Sequence, residues 1–199
     1  MQLPETIAIA SRNPGKIREI RAICAEWPVR WITATDHPGS WPAVEETSET
    51  YLDNALLKAK AVAEALGLAA IADDSGIEVD TLGGAPGPRS ARFAGPNAAD
   101  EENLGRLIEA IAPVPEDDRT ARYRCVAALS LPEGPTVWAE GTCEGRLITE
   151  PRGTGGFGYD PVFIPEGEKR TMAELPSAEK NRISHRGRAF RALREKLAG

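Results

Sequence analysis

The chain has 199 residues, 41% hydrophobic and 27% charged, the balance of a globular protein long enough to bury a sizeable core in one domain or two packed lobes. Its formal net charge of −6 excludes a duplex-binding surface, which needs an excess of cations to neutralise phosphates, so no nucleic-acid partner is expected. No apolar stretch approaches the roughly 18 residues of a transmembrane helix, and no basic region followed by a hydrophobic run opens the chain; no membrane partner and a cytoplasmic location are expected.

Thr6 to Ala10 reads as a short apolar strand. Ser11-Arg12-Asn13-Pro14-Gly15-Lys16 follows, and Ile17, Ile20, Cys24 and Trp27 then recur at helical spacing. Asn13 suits the N-cap of that helix and Pro14 its first residue, which sets Ser11, Asn13 and Lys16 around a helix N-terminus, where free N–H groups and the dipole favour anions. Lys16 is therefore a candidate phosphate ligand, although the glycines and the Gly-Lys-Ser/Thr ending of a Walker loop are missing. Val29 to Thr33 predicts a second strand. Val44-Glu45-Glu46-Thr47-Ser48 leads into a helix with Leu52, Ala55, Leu56, Ala59, Val62, Ala63 and Leu66 on its apolar stripe, capped by Thr47 or Ser48. Glu45 and Glu46 are either partners of that helix dipole or metal ligands, and Tyr51, Asn54 and Lys58 share one helix face.

Leu68 to Ala72 predicts a buried strand that stops at Asp73-Asp74-Ser75-Gly76. Adjacent carboxylates repel unless a cation or a shared proton intervenes, and magnesium suits an all-oxygen site, whereas an ordinary capped turn accounts for the same four letters. Gly83, Gly84, Pro86, Gly87 and Pro88 leave little room for regular structure before Arg89, Ser90 and Arg92. Leu104, Leu107, Ile108 and Ile111 mark another helix, and residues 121–131 and 136–148 read as two long strands joined at Pro132-Glu133-Gly134-Pro135, with little chemistry on them. Between Arg152 and Asp160, Gly153, Gly155, Gly156 and Gly158 surround Phe157 and Tyr159; such a loop lets backbone approach a flat ligand, or serves as a plain glycine-rich turn. Ser184 suits the N-cap of a last helix that buries Phe190, Leu193 and Leu197 and carries His185 and Arg186 in its first turn. Seven basic residues lie between Lys180 and Lys196 against one acid, Glu195, a bias that favours a small polyanion. Cys24, Cys125 and Cys143 are too widely spaced for a zinc site and are expected to be buried thiols.

Five stretches together resemble the inosine/xanthosine triphosphate pyrophosphatase family. They are Ser11 to Lys16; Glu45-Glu46-Thr47 with Asn54-Ala55 and Lys58-Ala59; Ala72 to Gly76 through Gly83 to Gly87 and Ser90-Ala91-Arg92; Gly155 to Pro161; and Ser184 to Gly187. They occur in family order over nearly the whole chain. The one departure is Pro88-Arg89, where the family usually has an aliphatic and then an aromatic residue. The resemblance implies an elongated α/β fold of two lobes around a long mixed β-sheet with a central cleft. It implies one domain over 1–199 whose lobes are not separable in sequence, and a homodimer. It also implies hydrolysis of non-canonical purine nucleoside triphosphates, those of inosine, deoxyinosine and xanthosine, to the monophosphate and pyrophosphate. By motif position, Ser11, Arg12, Asn13, Pro14, Gly15 and Lys16 hold the phosphates, Glu45 and Asp74 bind Mg2+, Asp74 is also the proton acceptor, and Ser75 contacts substrate. Phe157, Gly158, Tyr159, Asp160, Lys180, His185 and Arg186 form the nucleoside side.

Two rival classes use the same residues. A serine hydrolase built on Ser75, His185 and Asp73 lacks the Gly-x-Ser-x-Gly elbow. A nucleotide sensor without turnover needs no positioned water, which leaves Glu45, Asp73 and Asp74 together without a purpose.

Overall fold

The computed structural model describes residues 3–37, 41–44 and 48–199. Its strands are β1 (Thr6–Ile9), β2 (Arg30–Ile32), β3 (Ala69–Val79), β4 (Thr120–Ser130), β5 (Thr136–Leu147) and β6 (Phe163–Pro165). Its helices are α1 (Pro14–Ile23), α2 (Tyr51–Leu66), α3 (Asp100–Ile111), α4 (Ser177–Ile183) and α5 (His185–Ala198). The strands form one sheet in the order β2-β1-β3-β4-β5-β6. β1 runs parallel to both β2 and β3, and β6 antiparallel to β5, so the sheet is mixed and the fold is α/β as expected. No helix among the described residues is long and apolar enough to cross a membrane.

The chain divides into two compact units that exchange segments along β3, β4 and β5. The first comprises residues 1–74, 125–141 and 186–199, and its part of the sheet is buried on both faces. One face sets Ile7, Ile9, Ala69, Ile71, Cys125, Ala127 and Leu129 against Ile20 and Cys24 of the α1 segment and Phe190, Leu193 and Leu197 of α5. The opposite face is lined by small residues, Ala8, Ala10, Ala70, Ala72 and Ala128, which meet Ala55, Ala59 and Ala63 of α2. The alanines keep α2 close to the strands, and a larger side chain in place of one of them would be overpacked.

The second unit comprises residues 75–124 and 142–185. Its core gathers Ile77 and Val79 from β3, Leu107 and Ile111 from α3, Ala121 and Tyr123 from β4, Leu147 from β5 and Phe163 from β6, with Met172 and Leu175.

Several expectations need correction. β3 does not stop at Asp73: the extended backbone continues to Val79, and all of Asp73-Asp74-Ser75-Gly76 lies inside the strand. α2 is capped by neither Thr47, which lies outside the described residues, nor Ser48. Thr50 caps it, its Oγ1 accepting from Asp53 N at 3.1 Å and donating to Asp53 Oδ2 at 2.7 Å, a reciprocal cap that Ser48 is two residues too early to make. The segment between Gly83 and Arg92 holds more regular structure than its composition suggests, a 3₁₀ turn over Gly87–Arg92. β6 and α4, three and seven residues long, are too short to leave a periodic signature.

Candidate active site

Two groups of side chains carry the chemistry, one in each unit. In the first unit, β1 delivers the chain to α1 through the expected cap: Asn13 Oδ1 accepts from Lys16 N at 3.0 Å, Pro14 occupies the first turn, and Ser11 Oγ accepts from Asn13 N at 3.2 Å. Arg12, Asn13 and Pro14 are exposed, Ser11 half-buried and Gly15 buried. Lys16 emerges from the first turn with its Nζ 3.4 Å from Asp73 Oδ2.

The alternation of β3 explains the two aspartates. Successive strand residues point to opposite faces. Asp73 follows Ala69 and Ile71 towards α1 and α5, and Asp74 follows Ala70 and Ala72 towards α2. The two carboxylates therefore relieve their repulsion through separate protein partners rather than by sharing one cation. Asp73 Oδ2 accepts from Arg186 Nε at 3.1 Å and Nη2 at 2.9 Å, while Arg186 Nη1 donates to Glu19 Oε2. Burial alone would raise the Asp73 pKa, but Lys16, Arg186 and Lys58 outweigh it and hold the carboxyl far below the usual range. Arg186 is likewise fixed as a cation: burial opposes its charge, and Asp73 and Glu19 more than compensate. The Sγ of Cys125 lies 3.9 Å from Asp73 Oδ2, and burial pushes that thiol's pKa well up, so it is an inert neighbour.

Asp74 is 3% exposed. Its Oδ2 accepts from Asn54 Nδ2 at 3.1 Å and its Oδ1 from Lys58 Nζ at 3.3 Å. Asn54 is itself oriented by Ser48, whose backbone N–H it accepts and whose carbonyl it donates to, both at 3.1 Å. Among the described residues, no group of three or more His, Cys, Asp or Glu could by itself cage a metal. The donor chemistry nevertheless fits magnesium, which takes one or two carboxylates and completes its shell with water and substrate phosphate. Asp74 is a carboxylate of that kind, anchored by Asn54 and Lys58. Among the described residues the cluster sets Lys16, Lys58 and Arg186 against Glu19, Asp73 and Asp74. A balanced cluster has little net attraction for a polyanion, which a divalent cation would supply. Glu45 lies outside the described residues.

In the second unit, the glycine-rich loop is shaped around Asp160. Gly153, Gly156 and Gly158 have φ of 83°, 72° and 61°, and a Cβ on Gly156 would run into Asp160 Oδ2 and Lys180 Nζ. Asp160 Oδ2 accepts from Phe157 N at 2.9 Å and from Lys180 Nζ. Lys180 Nζ also lies over the Phe157 ring, 5.3 Å from its centroid. Gly158 N donates to Asp100 Oδ2 at 3.1 Å, and Tyr159 OH donates to Ser90 O at 2.7 Å. The Tyr159 phenol is pushed above its ordinary pKa by burial and then by Asp100, so it stays a neutral donor. His185, 5% exposed, stacks on Tyr123. Ser75, half-buried on β3, is the first residue of this unit.

Sequence reasoning missed Glu19, Tyr123 and Asp100. Glu19 falls on the buried side of α1 beside Ile20, and a carboxylate there demands a cation. Tyr123 is legible from strand phase, since it alternates inward with Ala121 and Cys125. Asp100 had no local signal beyond its place in the first turn of α3. The partners of Asp73 among the described residues are Lys16, Arg186 and Cys125, so the serine-hydrolase reading lacks its histidine-orienting acid.

A mixed-sheet α/β protein with a buried, hydrogen-bonded aspartate and a lysine on a capped helix N-terminus has the framework of a small-molecule hydrolase. The chain belongs to the Ham1 family, whose description matches residues 7–196. It is 53% identical to a Streptomyces coelicolor protein named dITP/XTP pyrophosphatase, over 94% of each chain. It is 44% identical to a Shigella flexneri protein of the same name, over 97% and 98% of the two chains. The solved structure of a Ham1 protein from Coxiella burnetii superposes with a TM-score of 0.85 at 40% identity, over 98% of this chain and 99% of that one.

Proposed function

We propose that this chain hydrolyses the triphosphates of deoxyinosine, inosine and xanthosine to the nucleoside monophosphate and pyrophosphate. The observation that carries the reading is the setting of Asp74, a buried carboxylate held on both oxygens by Asn54 and Lys58; the names of its near-full-length relatives support it. Asp74 orients the attacking water and accepts its proton as the oxygen bonds to the α-phosphorus and the bond to the pyrophosphate oxygen breaks. Lys58 keeps that carboxylate in place. Lys16, with Ser11, Asn13 and the N–H groups of Arg12 and Gly15, receives the departing pyrophosphate, where fixed donors act on charge as it develops.

Magnesium held by Asp74 and Glu45 would, when bound, spread the phosphate charge and lower the pKa of an adjacent water. Ser75 contacts the substrate, and Phe157 offers its face to the purine. Gly158, Tyr159 and Asp160 shape that surface, and Lys180 and His185 complete the nucleoside side; Arg186, buried on Asp73 and Glu19, holds Asp73 in place instead. We further propose a single domain over 1–199, a homodimer, and a cytoplasmic location.

The test is pyrophosphate release from dITP, XTP, dATP and dGTP, with and without Mg2+. Magnesium-dependent release favouring dITP and XTP is expected. Release of inorganic phosphate in place of pyrophosphate, or tight binding of dITP without turnover, would overturn the proposal, the latter in favour of a sensor.

A further inference from the structure

Tyr123 lies on β4, in a stretch the sequence marks only as strand, yet it touches two groups of the nucleoside side. Its ring stacks on the His185 imidazole with centroids 4.5 Å apart and planes 9° from parallel. Phe163 also meets the ring, edge-on at 4.7 Å and 61°. The hydroxyl donates to Asp160 Oδ1 at 3.4 Å. Asp160 in turn holds Phe157 N and Lys180 Nζ through its other oxygen. All six residues belong to the same unit. Tyr123, His185, Asp160 and Lys180 are each less than a tenth exposed, so the arrangement is dry and side-chain rotation is restricted.

The relative strengths decide which contact matters. The contact of the hydroxyl with Asp160 is longer than an ordinary O–H···O bond and by itself contributes little, whereas an aromatic pair at this separation adds about 0.5–1.5 kcal/mol beyond the area it buries. A coplanar neighbour also fixes the ring plane of His185, and so the directions in which its two nitrogens point. The backbone of α5 alone leaves that plane open, because the last torsion of a histidine side chain is broad.

We propose that Tyr123 is a positioning residue for nucleoside recognition: by stacking it fixes the plane of the His185 ring, and Phe163 packs edge-on against the same tyrosine. The inference rests on the reading of His185 as a substrate-side group. Tyr123→Met keeps an apolar side chain of comparable length and removes the ring; Tyr123→Phe keeps the ring and removes the hydroxyl. In Tyr123→Met, kcat/KM for dITP is expected to fall at least tenfold, since small misplacements of a positioned group cost up to about 10²-fold. Tyr123→Phe restores activity to within about threefold of the parent. In a His185→Asn background, Tyr123→Met costs less than twofold, because its route of action is gone.

A second readout needs no turnover. The chain has two histidines, His37 and His185, so deleting His37 identifies the His185 ring protons by NMR. They should lie upfield of free histidine, under the Tyr123 ring current, and return towards it in Tyr123→Met. An unshifted His185 signal in the parent, or an equal loss from Tyr123→Met with and without His185, would overturn the inference. If the parent releases no pyrophosphate from dITP while the upfield shift is present, the proposed function fails and the stack stands. Should Tyr123→Met not fold, the parent spectrum and the Tyr123→Phe kinetics still decide: a loss of tenfold or more in Tyr123→Phe would assign the effect to the hydroxyl and refute the stack as its cause.

Discussion

Arg186→Met keeps most of the side-chain length but withdraws the guanidinium from between two carboxylates. Asp73, 1% exposed, would lose both of its arginine bonds, and Glu19, 9% exposed, would lose its charged donor, leaving Lys16 as the cation paired with Asp73. Removing one partner of a buried ion pair costs about 3–5 kcal/mol, because a charge stays behind without its counter-charge. With a urea m-value of about 2 kcal/mol/M, the unfolding midpoint should fall by roughly 1.5–2.5 M. Asp73→Asn alone should also destabilise, since the buried arginine loses the charge of Asp73. The double variant should lose less than the sum of the two, by about 2 kcal/mol, because neither member of the broken pair is left charged. The assay is urea unfolding of parent, both single variants and the double variant, followed by fluorescence at fixed pH and salt. A loss below about 1 kcal/mol for Arg186→Met, or additivity within about 0.5 kcal/mol, would refute the view that Arg186 and Asp73 form one buried unit.

Asp74→Asn should unfold cooperatively but at a lower melting temperature, because buried Lys58 loses its counter-charge, and should lose at least about 10²-fold in pyrophosphate release; most of the activity surviving at saturating Mg2+ would remove Asp74 from the chemistry. The substituted amide must also turn its NH₂ towards a donor, either Asn54 or Lys58, so partial rescue by Asn54→Asp is worth measuring in the same assay. Lys16→Ala should weaken binding of the triphosphate far more than of the monophosphate in calorimetric titrations, and equal weakening would move Lys16 away from the phosphates. Gly156→Ala drives a methyl into Asp160 Oδ2 at a positive φ. It should cost about 1–3 kcal/mol by thermal unfolding and raise KM for dITP, and a neutral result would mean that the loop has other shapes within reach.

Much of the first unit was legible because its signals are local. The Asn13 cap with Pro14 behind it, the helical stripe of α2 and the apolar run of β3 are each decided within a few residues, and the structure keeps all three. The end of β3 was misread for a reason that local pattern cannot reach. A run of Asp-Asp-Ser-Gly resembles a turn until its charges find partners 113 and 16 residues away, in Arg186 and Lys58. The local spacing of Tyr123 and Glu19 reveals their burial but not what they are buried against, since His185 and Arg186 are distant in sequence. The dITP/XTP reading, by contrast, came from five dispersed motifs taken together, no one of which would have carried it.

The strand that bears the two aspartates has a degenerate spelling at the point that matters. Sliding β3 by one residue would still leave an aspartate at one of the two sites, with Ser75 or Ala72 arriving at the other, so the pair by itself specifies the register only weakly. The neighbours forbid the slip. Ile71 fills the side packed by α1 and α5, and Ala70 and Ala72 fit beneath the alanines of α2; a slip would press isoleucine onto that close-packed helix and leave a void on the other side. The assignment of one carboxylate to an arginine and the other to a lysine and an amide is thus written in the apolar residues beside them. Evolution can therefore vary those apolar residues only in step: an Ala72→Ile change would threaten catalysis by loosening the phase of a strand whose acidic residues are untouched.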